Sequence, residues 1–206
     1  MYLAWPRVRR LCEERGADLV IRPVLFAGLL NHWGQLGPAE IPPKSLFVLK
    51  DCARRAALSG LPLRVPQFHP FNSLTALRVS LAEVSGKDQP RVVDALFQAG
   101  WGQGMDLGSA DAIVEILDAA GLDGKALVAR TADPAVKEAL RTATENAVGR
   151  GVFGIPTMIV DTELFWGNDQ IENVDRYLSG TDPIAGMDLA SLFPQGSSAV
   201  RRRPGT

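Results

Sequence analysis

Three short groups of residues carry most of the chemistry that this chain can perform. Gly151-Val152-Phe153-Gly154-Ile155-Pro156-Thr157 runs into Met158-Ile159-Val160, turns at Asp161, and returns as Leu164-Phe165-Trp166-Gly167. It reads as a β-hairpin whose first strand opens at a proline. Proline donates nothing to a sheet ladder, so its place at a strand opening is positional, and a cis Ile155-Pro156 bond is expected there. Asn168-Asp169 follows at the start of a helix, where unsatisfied N–H groups attract anions. Lys44 follows Pro42-Pro43 at another helix start, a position that suits proline because the first turn needs no N–H.

The remaining reactive side chains narrow the chemistry. Cys12 and Cys52 lie forty residues apart without a C-x-x-C, which fits neither a disulfide framework nor a zinc pattern, and both read as small buried hydrophobes. His32 and His69 have no metal-ligand spacing with other donors, so metal catalysis is not expected and no metal is assigned. Lys and Arg total 22 against 23 Asp and Glu, with no basic stripe interleaved with aromatics, so nucleic acid is not an expected partner. The apolar runs stop well short of a membrane span, and no signal-type apolar region opens the chain. A cytoplasmic location is the resulting expectation. With 206 residues and 46% hydrophobic content the chain can bury a core as one domain, or as one domain carrying a large insertion.

These groups need elements to hold them. Leu3 to Glu14 reads as a helix with Leu3, Val8 and Leu11 on one side and Gly16 as its stop. Leu19 to Val24 reads as a buried strand, and Phe26 to Pro43 as a loop-rich stretch broken by glycine and proline. A helix is expected from about Pro43 to Leu58, with Leu46, Leu49, Ala53 and Ala56 on one face and Gly60 closing it. Pro62 to Pro70 is extended, because each proline restricts the residue before it. Helices then follow from a cap at Asn72 or Ser73 through Leu74, Leu77, Leu81 and Val84; from Pro90 through Phe97; from Ser109 or Asp111 through Ala120; and from Asp133-Pro134 to Val148. A last helix is expected from about Asp169 to Leu178, and the residues after Gly180, with Arg201-Arg202-Arg203, read as an irregular or disordered tail.

A βα unit, an all-helical middle and a ββα unit opening at a proline is the order of an α/β thioredoxin-like fold with an inserted all-helical domain, as in the disulfide oxidoreductase DsbA. On that reading residues 1–40 and 134–182 form the thioredoxin-like domain, 41–133 the insertion and 183–206 the tail. The chain more narrowly resembles the kappa-class glutathione transferase and 2-hydroxychromene-2-carboxylate isomerase family. The match rests on Tyr2-Leu3-Ala4; on Gly37-Pro38 with Ile41-Pro42-Pro43-Lys44 and Leu49-Lys50-Asp51; on Phe68-His69-Pro70-Phe71-Asn72 with Ala76-Leu77-Arg78; and on Gly151 to Asp169.

The resemblance implies glutathione as cofactor and a small aromatic substrate, with a homodimer open. It implies that the backbone of Ile155, before Pro156, pairs with the cysteinyl part of glutathione. Asn168 and Asp169 would take the γ-glutamyl carboxylate and ammonium, and Lys44 the glycyl carboxylate. Gln35 stands where the family often has Asn, an amide on a longer arm. Trp33, His69 and Phe71 would line the acceptor site. Each assignment has a plainer alternative: Asp169 as a helix cap, Lys44 as a solvated first-turn lysine, and His69 as a loop residue at an interdomain elbow. The family carries Ser-Pro-x-x before its aromatic-Leu pair, and by register that serine falls three positions ahead of Met1, so no residue of this chain receives the catalytic role. The first strand of the fold is likewise expected ahead of Met1, through a late start codon or a shortened chain. In the dithiol branch a second cysteine would fall on Met1, which excludes a dithiol mechanism if Met1 is native. The activity implied is glutathione-dependent isomerisation, with a kappa-like transferase, a thiol-disulfide oxidoreductase and a non-catalytic binding protein as alternatives.

Overall fold

The structure is a computed structural model that describes residues 1–66 and 68–192. The Arg201 to Arg203 run and most of the expected tail lie outside the described residues. Among the described residues are ten α-helices and one hairpin, with short 3-10 and π turns between them: α1 (Trp5–Arg15), α2 (Phe26–Trp33), α3 (Pro42–Ser59), α4 (Leu74–Val79), α5 (Ala82–Ser85), α6 (Gln89–Phe97), α7 (Ala110–Ala119), α8 (Gly124–Arg130), α9 (Pro134–Gly149), β1 (Thr157–Val160), β2 (Glu163–Trp166) and α10 (Ile171–Leu178).

Local chemistry explains most of the boundaries. Pro6 and Pro42 enter in the first turns of α1 and α3, and Gly16, Gly34 and Gly60 end α1, α2 and α3 in the left-handed conformation that glycine adopts without a Cβ clash. Ser109, Asp123 and Asp133 each accept a backbone N–H at the start of α7, α8 and α9. The hairpin closes through a two-residue turn in which Asp161 takes a φ of 53°.

Four expectations need correction. Leu19 to Val24 forms no strand: among the described residues its backbone pairs with no neighbouring strand, and only the Ile21 carbonyl is engaged, by the Gln89 side chain at 3.3 Å. Extended residues without a ladder partner do not make a sheet. The sheet of the described residues is therefore the two-stranded hairpin alone. Second, Phe26 to Trp33 is helix, not loop. Gly28 is no breaker there, because its bare Cα packs against Thr144 of α9, where a Cβ would sit 3.0 Å from the threonine methyl, and Leu29 beside it is fully buried. Third, the single helix expected from Ser73 to Val84 is two, broken where Leu81 turns extended (ψ 142°) while the Ser80 hydroxyl bonds the Ala76 carbonyl. Fourth, of the expected inner face of α3 only Ala56 is buried; Leu46 and Leu49 stand exposed beside Phe47.

Two cores bear on the candidate site. Ala4, just before α1, and Val8 and Leu11 of α1 pack with Ile171, Val174 and Leu178 of α10 and with Met158, Val160 and Phe165 of the hairpin. Tyr2, Leu3 and Ala56 pack with Cys52, Phe97 and Trp101, and the Tyr2 hydroxyl donates to the Pro62 carbonyl at 2.8 Å. The start of α1 is thereby wedged between the hairpin side and the helical middle. If α2 is a true core element, Leu29→Ala costs about 2 to 5 kcal/mol in denaturant unfolding, whereas Leu58→Ala, at 90% exposure on α3, changes stability by under about 0.5 kcal/mol. Equal effects at the two positions would contradict this packing.

Candidate functional site

The Ile-Pro-Thr step is a closed turn, and each residue in it has a reason. Ile155–Pro156 is cis. The Thr157 hydroxyl donates to the Gly154 carbonyl at 2.7 Å, tying the turn across the proline. Gly154 is required because the Trp166 indole lies directly over it: a Cβ there would meet Trp166 Nε1 at 2.3 Å. Phe153 meets the same indole edge-on at 5.0 Å. Trp33 anchors the approach from the other side, its Nε1 donating to the Val152 carbonyl at 2.9 Å.

The hairpin register carries this turn to the start of α10. Thr157 faces Trp166 and Val160 faces Glu163. The ladder continues one pair further, with Gly167 N–H donating to the Pro156 carbonyl at 2.9 Å, so Ile155 and Asn168 come out at the same end of the hairpin. Among the described residues nothing pairs with the N–H or C=O of Ile155, nor with the N–H groups of Asn168 and Asp169. Gly167 takes a φ of 112°, and the Asp169 carboxylate folds back over it, 2.6 Å from where a Cβ would stand. Asp169 is thus not a helix cap, since Gly167 precedes the Asn168–Gln170 3-10 turn and Gln170 precedes α10.

α3 brings charge to the same place. Arg55 Nε donates to Asp51 at 2.7 Å, and this bond, with added attraction from Asp169 and Cys52, holds the guanidinium pKa up. Asp51, Cys52, Arg55 and Asp169 therefore share one electrostatic neighbourhood. Lys44 lies seven residues earlier on α3, almost two full turns, which puts it on the same side and about 10.5 Å along the axis. Lys44 is exposed and has no ion-pair partner among the described residues, so its charge is open to a ligand end.

The other expected residues are not all gathered. Gln35 is exposed, its N–H used in ending α2 on the Leu30 carbonyl. His69 and Phe71 meet edge to face at 5.9 Å, and His69 packs on Trp101 at 5.0 Å, whereas Trp33 is held at Val152 and makes no aromatic contact with that group. Cys52 carries no sign of a thiolate: burial pushes its thiol pKa up, opposed by the nearby Met1 amine, and burial likewise raises Cys12. Two grooves of about 460 and about 190 Å³ run along the outer side of α1 past Trp5 and Arg9, and neither includes an expected glutathione-site residue. Among the described residues no cluster of His, Cys, Asp and Glu could hold a metal, and no helix is long and apolar enough to cross a membrane.

Sequence reasoning overlooked Arg7, Arg55 and Gly167. The Arg55–Asp51 pair was readable as an i, i+4 ion pair, and Gly167 as a glycine between a strand and a helix. Arg7, bonded to Asn168 across 161 positions, left no local signal.

Comparison with known proteins identifies the fold and the family. Residues 2–179 match the DSBA-like thioredoxin domain. The chain is 31% identical over 180 residues to 2-hydroxychromene-2-carboxylate isomerase of Sphingobium xenophagum, covering 86% of this chain and 91% of that one. It is 28% identical over 196 residues to glutathione S-transferase kappa 1 of Rattus norvegicus, covering 86% and 85%. A solved structure of a 2-hydroxychromene-2-carboxylate isomerase superposes with a TM-score of 0.78 at 25% identity, covering 94% of this chain and 93% of the other.

His69 supplies a pH test of this packing. The ring is exposed overall, and partial desolvation where it packs on Trp101 lowers its pKa, so the folded chain binds the proton less readily than the unfolded one and stability falls modestly as pH drops through the ordinary histidine value of about 6.5. Melting temperatures measured between pH 7.5 and 5.5 should decline in the parent and flatten in His69→Gln; parallel curves would remove the desolvated His69–Trp101 contact.

Proposed function

The chain belongs to the DsbA-like thioredoxin domain family, and on that premise we propose that it is a glutathione-dependent isomerase acting on an aromatic-ring-derived acid such as 2-hydroxychromene-2-carboxylate. One observation carries the reading. The unpaired backbone of Ile155, the free N–H groups of Asn168 and Asp169 with their polar side chains, and the open charge of Lys44 offer partners in kind for the peptide, amino-acid and carboxylate parts of glutathione.

Each residue then has a task set by its chemistry. Ile155 offers one donor and one acceptor to the cysteinyl backbone, as one strand does to another. The N-terminus of the turn before α10 holds the γ-glutamyl carboxylate through Asn168 and Asp169 N–H, and the Asp169 carboxylate balances the ammonium. Lys44 neutralises the glycyl carboxylate as a flexible point charge. When bound, glutathione supplies a thiol that adds reversibly to an unsaturated carbonyl carbon and allows bond rotation or ring opening. No side chain of this chain is assigned to activate that thiol, and the half-buried Cys52 is not offered for the role. Trp33, His69 and Phe71 are proposed to border the acceptor site, with Gln35 at its glutathione edge. A cytoplasmic location goes with this reading, because that compartment keeps thiols reduced.

The rat kappa relative supports glutathione transfer as the second reading. Conversion of 2-hydroxychromene-2-carboxylate that requires glutathione without consuming it supports the isomerase; stoichiometric loss of glutathione to an electrophile supports the transferase. Asp169→Ala should weaken glutathione binding by roughly 1 to 3 kcal/mol in calorimetry, as loss of a charge-assisted bond would. An unchanged dissociation constant sinks the role given to Asp169. The exposed Leu46, Phe47 and Leu49 on α3 further support a homodimer. Sedimentation equilibrium should then report twice the 22.2 kDa chain, and a single 22.2 kDa species would remove the dimer.

A further inference from the structure

Arg7 sits in the first turn of α1, yet its one recorded partner among the described residues is the far end of the chain. Its Nη1 donates to the Asn168 carbonyl at 2.8 Å and to Asn168 Oδ1 at 3.0 Å. Arg9, Arg10 and Arg15 on the same helix all reach carboxylates; Arg7 reaches none. A guanidinium has donors only, so the oxygen of the Asn168 amide must face it, whichever way round the amide is drawn. Asn168 Nδ2 is therefore turned away from α1, and among the described residues it has no partner. The bond also fixes the backbone of the residue that starts the turn into α10.

The electrostatics are unusual for a purely structural contact. A cation beside the N-terminus of a helix opposes the helix dipole, and the carboxylates of these turns, Asp169 and Glu172, form no ion pair with Arg7. A bound anion reverses that sign. With an anion present, Arg7, the free N–H groups of Asn168 and Asp169, and Asn168 Nδ2 all act in the same direction.

We propose that Arg7 is a positioning residue for the glutathione site: it locks the Asn168 amide so that Nδ2 is offered to the γ-glutamyl carboxylate, and it adds positive potential there without touching the ligand itself. This rests on the glutathione reading above. The packing that wedges the start of α1 between hairpin and helical middle keeps Arg7 in place, and a shift of that helix would release Asn168.

Calorimetry with reduced glutathione tests it, using the parent chain, Arg7→Met, Arg7→Lys, Asn168→Ala and the Arg7→Met/Asn168→Ala double variant. Thermal melting of each protein checks that it is folded. Arg7→Met should raise the dissociation constant about tenfold or more, as for a lost bond to a charged group. Arg7→Lys, which keeps the charge and loses the fork, should recover part of the loss. In the Asn168→Ala background Arg7→Met should add much less, because the amide it orients is gone. Binding by Arg7→Met equal to the parent overturns the role of Arg7 while leaving the glutathione site standing. Full additivity of the two substitutions overturns it as well, since Arg7 would then act without Asn168. No binding of glutathione by the folded parent overturns the site and, with it, the role of Arg7.

Discussion

One backbone hydrogen bond sets the geometry on which the candidate site depends. Gly167 N–H donates to the Pro156 carbonyl, and this extends the hairpin ladder by one pair beyond the four residues of each strand. Strand register is all or nothing: a slip of one residue would turn every side chain of β1 to the other face. Here it would take Met158 and Val160 out of their core with α1 and α10, so the core pins the register. The register in turn brings the cis turn at Pro156 and the turn at Asn168 to one end of the hairpin. Packing thus fixes the site through a ladder, with no need for contacts between Ile155 and Asn168 themselves.

Around that end the charges divide by element. α3 carries Lys44 in its first turn and the Asp51–Arg55 pair about two to three turns further along. α1 supplies Arg7 to Asn168. The turn before α10 supplies unpaired N–H groups and Asp169. Exposed ion pairs contribute little to stability, and Arg55–Asp51 is only partly buried, so its interest lies in where it holds charge. Burial pushes the Cys52 thiol pKa up, which gives no ground for a thiolate of this chain beside the candidate site.

Much of this was legible in the residues, and the failures have common causes. Caps and stops act within one turn, so Asp133, Ser109, Gly16 and Gly60 could be read directly. The hairpin was equally plain, since Pro156, a β-branched run and Asp161 are all local signals. What misled was tertiary. Gly28 looks like a breaker until Thr144 of α9 is seen to need its bare Cα, and Leu19 to Val24 looks like a strand although no neighbour completes a ladder. The apolar positions of α3 have a helical period, which gives no information about whether any surface covers them; Leu46 and Leu49 are left exposed. For the candidate site, Lys44, Ile155, Pro156, Asn168 and Asp169 were expected through family resemblance combined with helix-end and strand-opening chemistry. Arg7 was not, because its partner lies at the other end of the chain.

The account stands or falls on whether glutathione lies across the Ile155 turn, the start of α10 and the first turn of α3. Titration of isotopically labelled protein with reduced glutathione, followed by amide chemical shifts, measures this directly. The largest saturable shifts should fall on Ile155, Thr157, Asn168 and Asp169, with a second group near Lys44. Saturable shifts confined to the grooves along the outer side of α1, or no saturable shift at all, would contradict it.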